Sequence, residues 1–368
     1  MKSRLVGRDK EYIIQTSNDA DQSAVSSVLI VDGVPTETAR FDHPGDIGSE
    51  EVLQLVRSKH DRTKQEVESL LNACREALDR REPEHMTNLG LACFYKGFYL
   101  EAQELMRTAI AVDGAGHRAL HYLSQVESAL ERPAAAVQAA EQAVQLRPRF
   151  ADYRNNLGVA LAGAGRYRHA IGEFTEAIQI NLYYAEAYFN LGLALVHNAL
   201  TRDDPSLFEG VLSRSEEQFN RALMINSDYD TPLFHRGIQS LRETDLPGAY
   251  ACFSRLREER WERHRREYAS FYMQSILYPD WSNEDALDDR ISFLQKEIER
   301  NPTYVDLVAQ LGHCHLHRAR LAWSCGLEQY RSALQTNASL KELRDILDRG
   351  EECLAGLDKV LSEIPKKG

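Results

Sequence analysis

Three asparagines are separated by whole multiples of one step: Asn190 follows Asn156 by 34 residues, and Asn156 follows Asn88 by 68. A side-chain amide carries two donors and an acceptor, so a row of them can hydrogen-bond the backbone of another segment whatever its side chains are. Other candidates for chemistry are thinner. His313 and His317, within His313-Cys314-His315-Leu316-His317, are four apart and share a helix face, as two zinc or nickel ligands would. A closed structural site takes about four ligands, and no further pair is identifiable. The chain has no Gly-rich phosphate loop, HExxH or GxSxG motif. No catalytic residue, metal or cofactor is therefore assigned, and the chain is expected not to be an enzyme. The six cysteines form no CxxC pair and read as buried free thiols.

The elements that position the asparagines keep the same step. Leu89-Gly90, Leu123-Ser124, Leu157-Gly158 and Leu191-Gly192 recur every 34 residues, as do Ala102, Ala136 and Ala170, and again Ala109, Ala143 and Ala177. Over Ala151 to Tyr184 the apolar residues Leu157, Ala160, Leu161, Ala170, Ile171, Phe174, Ala177 and Ile178 fall at helical spacing, which predicts two amphipathic helices. Gly163-Ala164-Gly165 between them predicts a tight turn. Gly158 and Ala170 let the helix axes approach, and Tyr167 and Phe174 fill the wider gaps. One such hairpin cannot bury its apolar faces alone, so the units must stack in series with covered ends.

On these residues the chain resembles the tetratricopeptide repeat family, whose unit is a 34-residue hairpin with Leu-Gly at positions seven and eight and Ala at twenty and twenty-seven. Asn156-Leu157-Gly158, Ala170, Phe174 and Ala177 fit that pattern, with unit starts at Pro83, His117, Ala151 and Ala185. Gly237 follows Gly192 by 45 residues rather than 34, which places an 11-residue insertion near 201–211, including Asp203-Asp204-Pro205. The resemblance implies an all-α, right-handed α-solenoid in which the first helix of each hairpin lines a concave groove. Placed on that register, the groove residues are Asn88, Phe94, His121, Tyr122, Asn155, Asn156, Phe189, Asn190, Phe234 and His235. The resemblance also puts His313 and His317 on the groove side. It implies a non-enzymatic scaffold that holds a partner peptide or helix there. The carboxylate clamp of co-chaperone members is not expected, because Thr87, Leu91, Asp152 and Asn156 stand where that clamp has cations and asparagine.

The ends depart from the repeat. Tyr12 to Thr16 and Ser26 to Val31, joined to Val34 by Asp32-Gly33, predict a small antiparallel β-hairpin element over 1–47. Helical spacing resumes over 48–82 as an N-terminal cap, five regular units follow over 83–262, and a degenerate helical pair over 263–304 ends at Asn301-Pro302. An irregular unit is expected over 305–338, carrying Leu311-Gly312, Tyr330 and Ala333. A leucine-striped helix follows over 339–368, from Leu340 to Leu361, ahead of Lys366-Lys367. That stripe suits either a fold-back over the last unit or pairing with a second chain. A self-assembling protein using the β element or this helix is accordingly the alternative reading, with a homo-oligomer as partner.

A formal charge of −12 argues against nucleic acid and anionic lipid as partners. The six arginines between Arg255 and Arg266 interleave with Glu258, Glu259 and Glu262 and read as a solvated helix face. No apolar run approaches the ~18 residues of a membrane span, and the opening residues lack the apolar core of a secretory signal. The chain is therefore expected to be cytoplasmic.

Overall fold

Alternating burial along Glu11–Asp19 and Ala24–Val31 marks two strands that cover a core on one face only. In the computed structural model, which describes residues 1–6, 10–45, 48–114, 116–201, 206, 208–277, 284–300, 305–337 and 341–363, they are the middle of a four-stranded antiparallel meander. Its strands are β1 (Lys2–Val6), β2 (Glu11–Asp19), β3 (Ala24–Val31) and β4 (Val34–Asp42), in the order β1-β2-β3-β4. Asp32 and Gly33 form the β3-β4 turn with φ of 48° and 84°, the left-handed pair that a two-residue hairpin requires. The short β1, paired with β2 from Lys2 to Val6, lies beyond what strand propensity alone reveals.

Two units divide the chain, Met1–Leu277 and Tyr278–Gly368. In the first, the sheet packs on α1 (Ser49–Arg80) and on the first hairpin, α2 (Pro83–Tyr95) and α3 (Tyr99–Asp113). Tyr12 stacks on Phe98 with ring centroids 5.5 Å apart, and its hydroxyl donates to Glu101, which also pairs with Lys10. His60 of α1 is buried between Ser3 Oγ at 2.7 Å and Thr16 Oγ1 at 3.0 Å. A four-stranded sheet left alone would expose one apolar face, and α1 removes that face from water.

The hairpins continue as α4 (His117–Ala129) with α5 (Pro133–Leu146), α6 (Ala151–Gly163) with α7 (Tyr167–Ile180), and α8 (Ala185–Thr201) with α9 (Val211–Ile225). The first helices thus begin at Pro83, His117, Ala151 and Ala185, one repeat apart. Each interhelical turn of the regular kind places one residue in the left-handed region: Gly97, Glu131, Gly165 and, later, Thr244. The 3-10 turn Ser227–Tyr229 leads to α10 (Pro232–Arg242), capped by Thr231 Oγ1 accepting from Phe234 N at 3.2 Å.

Departures from the hairpin pattern begin with α11 (Leu246–Leu277), which is 32 residues long where α5 and α7 have 14. It runs without a break through position 262, so the first member of the helical pair expected over 263–304 is no separate helix but the second half of α11. Earlier second helices meet Gly114, Pro148 or Asn181 at their ends, whereas Trp261 to Leu277 contains neither Gly nor Pro. In the second unit, α12 (Glu284–Arg300) packs on α13 (Val305–Thr336), and α13 packs on α14 (Lys341–Glu363). Where a hairpin is expected over 305–338, α13 is one continuous helix. Arg318-Ala319-Arg320, strong helix formers, occupy its middle. The leucine-striped helix folds back on α13: Trp323 Nε1 donates to the Gly350 carbonyl at 2.9 Å, and Arg331 pairs with Glu351 at 2.8 Å. Asp203-Asp204-Pro205, Asn301-Pro302, Leu340 and Lys366-Lys367 lie outside the described residues.

Candidate functional site

Adjacent first helices touch one another (α2 with α4, α4 with α6, α6 with α8) more extensively than adjacent second helices do, so the first-helix side is the inner side of the stack. The polar residues predicted there form a relay from hairpin to hairpin. Asn190 of α8 donates through Nδ2 to Asn155 Oδ1 of α6 at 3.0 Å, and Asn155 donates to the Tyr184 hydroxyl at 3.2 Å. Asn156 of α6 donates to the His121 carbonyl of α4 at 3.1 Å. Arg118 of α4 donates to Asn88 Oδ1 of α2 at 3.2 Å. Asn155, Asn156 and Asn190 are buried, while Asn88 is half-buried. The three buried amides thus tie successive first helices together, each bond contributing about 1 kcal/mol net.

His121 is sandwiched in this relay. Its ring stacks on Tyr153 with centroids 4.5 Å apart and meets Tyr122 edge-on at 4.7 Å. Burial, reinforced by the nearby Arg118 and His117, pushes its pKa down to about 3, so the ring is neutral at pH 7. The Gln125 side-chain amide hydrogen-bonds His121 Nε2 at 3.1 Å. Tyr122 keeps part of its surface exposed. His235 is exposed on α10 and pairs with Asp230 at 2.6 Å.

The three predicted phenylalanines sit deeper. Phe189 and Phe234 are each 1% exposed and share a core cluster with Phe219, Tyr229 and Phe253. Phe94, 2% exposed, packs against Tyr95, Tyr99 and Trp261. Each contributes roughly 1.5–3 kcal/mol of burial to the stack rather than surface for a ligand.

What covers Phe94 is the chain's own α11. Its N-terminal half completes the fifth hairpin through Ala249, Phe253 and Leu256 and also touches α8. The remainder reaches α2 and α1 at the far end of the first-helix row. Tyr95 is stacked by Tyr268 at 4.9 Å and by Tyr272 at 5.7 Å, with Trp261 at 6.1 Å. Arg265 Nη1 donates to the Tyr95 carbonyl at 3.1 Å, and Ala269 and Met273 are buried in the same cluster, against which Tyr122 also packs. Of the arginines expected on a solvated face, Arg255 is exposed and pairs with Glu259, whereas Arg265 turns inward and Arg260 lies 3.7 Å from the centre of the Tyr229 ring. Tyr268 and Tyr272 escaped the repeat register because they fall after its fifth unit, and Trp261 because it stands at that unit's very end, away from the first-helix positions. Their signal was an apolar spacing of seven and four residues in a segment free of helix breakers.

Other sites are modest. A cavity of about 120 Å³ between the sheet and α1, lined by Phe41, Arg62, Glu66 and Lys96 among others, is well below the ~300 Å³ at which small-molecule sites begin. Among the described residues no group of three or more His, Cys, Asp or Glu is placed to hold a metal, and no helix is long and apolar enough to cross a membrane. Cys314, between His313 and His315, is buried, and its thiol is pushed up to about 11 by that burial.

No family model matches the chain, and no curated protein matches it. Among solved structures it is similar to PilF of Pseudomonas aeruginosa, at 18% identity over 65% of this chain and 98% of that one, with a TM-score of 0.38. It is also similar to TTC0263, a TPR protein of Thermus thermophilus, at 19% identity over 64% of this chain and 100% of that one, with a TM-score of 0.34. A third is MamA from Desulfovibrio magneticus RS-1, at 19% identity over 50% of this chain and 96% of that one, with a TM-score of 0.37. These are tetratricopeptide repeat proteins. In the present chain the fold is carried by its own geometry: the first unit holds an N-terminal antiparallel sheet and an α-solenoid of tetratricopeptide-type hairpins, the first four of them stepped every 34 residues.

Proposed function

We propose that the chain is a non-enzymatic interaction scaffold whose first-helix face binds a helical or peptide segment of another protein. The observation that carries this reading is the seating of α11. Trp261, Arg265, Tyr268 and Tyr272 project at i, i+4, i+7 and i+11 onto α2, which is the spacing by which an amphipathic helix engages a groove. The partly exposed Asn88 and Tyr122 are the proposed contacts for a partner; the buried Asn156 ties α4, which presents Tyr122, to α6, and Asn155 and Asn190 tie α6 to α8.

The test is photo-cross-linking from position 122 in the full chain, with the captured segment mapped by mass spectrometry. A partner segment captured by the parent chain, lost with Asn88→Ala and retained with Glu176→Ala on the opposite helices, supports the reading. Capture that is indifferent to Asn88→Ala overturns it.

A further inference from the structure

Second helices of the regular hairpins end once they have covered their first helix, but α11 continues for about one hairpin helix more, to Leu277. Its two halves are packed unequally. Phe253 and Leu256 of the first half are buried outright; in the second half Ala269 and Met273 are buried too, but Trp261 remains 38% exposed and the other large aromatics, Tyr268, Phe271 and Tyr272, are only half-buried. The second half nevertheless holds the most aromatic surface of α2: Tyr95 lies between Tyr268, Tyr272 and Trp261, and its carbonyl accepts from Arg265. A segment that is well matched to a surface yet incompletely buried has the properties of a ligand tethered in place.

We infer that the stretch Trp261–Leu277 of α11 is a built-in competitor for the interaction face, and that the natural partner is an amphipathic helix carrying aromatic and arginine side chains at i, i+4, i+7 and i+11. This rests on the groove reading above and deepens it by specifying the partner's chemistry and the step that admits it. While α11 is seated, the aromatic platform of Tyr95 is occupied, and a partner's apparent affinity is lowered by the fraction of molecules in which the segment is released. Release needs no new hinge, because the segment lies at the C-terminal end of its helix and can fray from Leu277 backwards while Phe253 and Leu256 keep the first half docked. The inward arginine makes the recognition directional: Arg265 must reach the carbonyl of Tyr95 while Tyr268 and Tyr272 lie against its ring, which a helix of the reversed sequence cannot reproduce.

The probe is a fluorescein-labelled peptide of residues 259–277, titrated with the full chain and followed by anisotropy. The double substitution Tyr268→Ala and Tyr272→Ala loosens the seated segment and is expected to raise affinity for the peptide by about 10-fold or more over the unsubstituted chain. Adding Tyr95→Ala to that variant is expected to abolish the gain. Peptide binding that is equal in the two proteins, or absent from both, overturns the competitor role. Amide hydrogen exchange on the unsubstituted chain supplies a readout free of folding defects: residues 261–277 should exchange at least about 10-fold faster than α2. Equal protection of the two overturns the inference. Failure here with cross-linking from position 122 still sensitive to Asn88→Ala removes only the competitor role; insensitivity of that cross-linking removes the groove reading itself.

Discussion

A methyl group placed on Gly158 would stand 2.5 Å from the ring of Phe174, sixteen residues further on in the paired helix. The same contact recurs from Gly237 to Phe253 at 2.7 Å and from Gly192 to Phe219 at 3.0 Å. The repeated glycine is thus one half of a helix–helix contact whose other half is an aromatic ring, and Phe174 is too deeply buried to swing away. In the first hairpin Met106 replaces the ring, with its Cγ 3.1 Å from the corresponding position on Gly90.

Gly158→Ala is expected to destabilise the chain by about 1–2 kcal/mol, since overpacking of about 1–3 kcal/mol exceeds the roughly 1 kcal/mol gained from helix propensity. Gly192→Ala, with more room, should cost less. Urea midpoints at constant slope give the order.

The amide relay predicts a stability effect as well. Asn190→Ala strands Asn155 Oδ1 without its donor and should cost about 1–3 kcal/mol, more than Asn88→Ala, whose partner Arg118 can turn to water. A double-mutant cycle over Asn155 and Asn190 should return a coupling of about 0.5 kcal/mol or more, and additivity would show that the bond carries no energy.

Thr244 holds φ at 62°, a left-handed conformation that is costly for a β-branched residue, where Gly97 and Gly165 stand in other units. Thr244→Gly is therefore expected to stabilise by about 1 kcal/mol, seen as a raised denaturation midpoint.

His121 predicts a pH dependence. Its folded pKa of about 3 lies below the ordinary histidine value, so between about pH 6.5 and 3 the unfolded chain binds a proton that the folded chain refuses. The stability tied to the neutral ring is present above that window and is lost as pH falls through it, by about 1.4 kcal/mol per pH unit. His121→Phe, which keeps an aromatic ring against Tyr153, should flatten that part of the profile in denaturation series from pH 7 to 4.

The hairpins, their starting residues and the turn at Asp32-Gly33 were legible in the residue order. They depend on spacing and backbone preference, which act over one or two helical turns, and the 34-residue step multiplies such local signals into a register. That register placed Asn155, Asn156, Asn190 and His121 on the first helices but carried no information about their bonds. An asparagine amide offers the same donors to a bound peptide and to the next helix, and only the distances from Asn190 to Asn155 and from Asn156 to His121 decide between them. Phe94 and Trp261 are 167 positions apart, and no local pattern announces their contact. The repeating unit is written in the residue order itself, because every contact that defines it lies within one hairpin. That the Tyr95 surface of α2 is already covered belongs to the folded chain alone: the path of α11 depends on how far an unbroken helix reaches across hairpins remote in the chain, and on Tyr95 presenting a surface that its aromatic stripe fits.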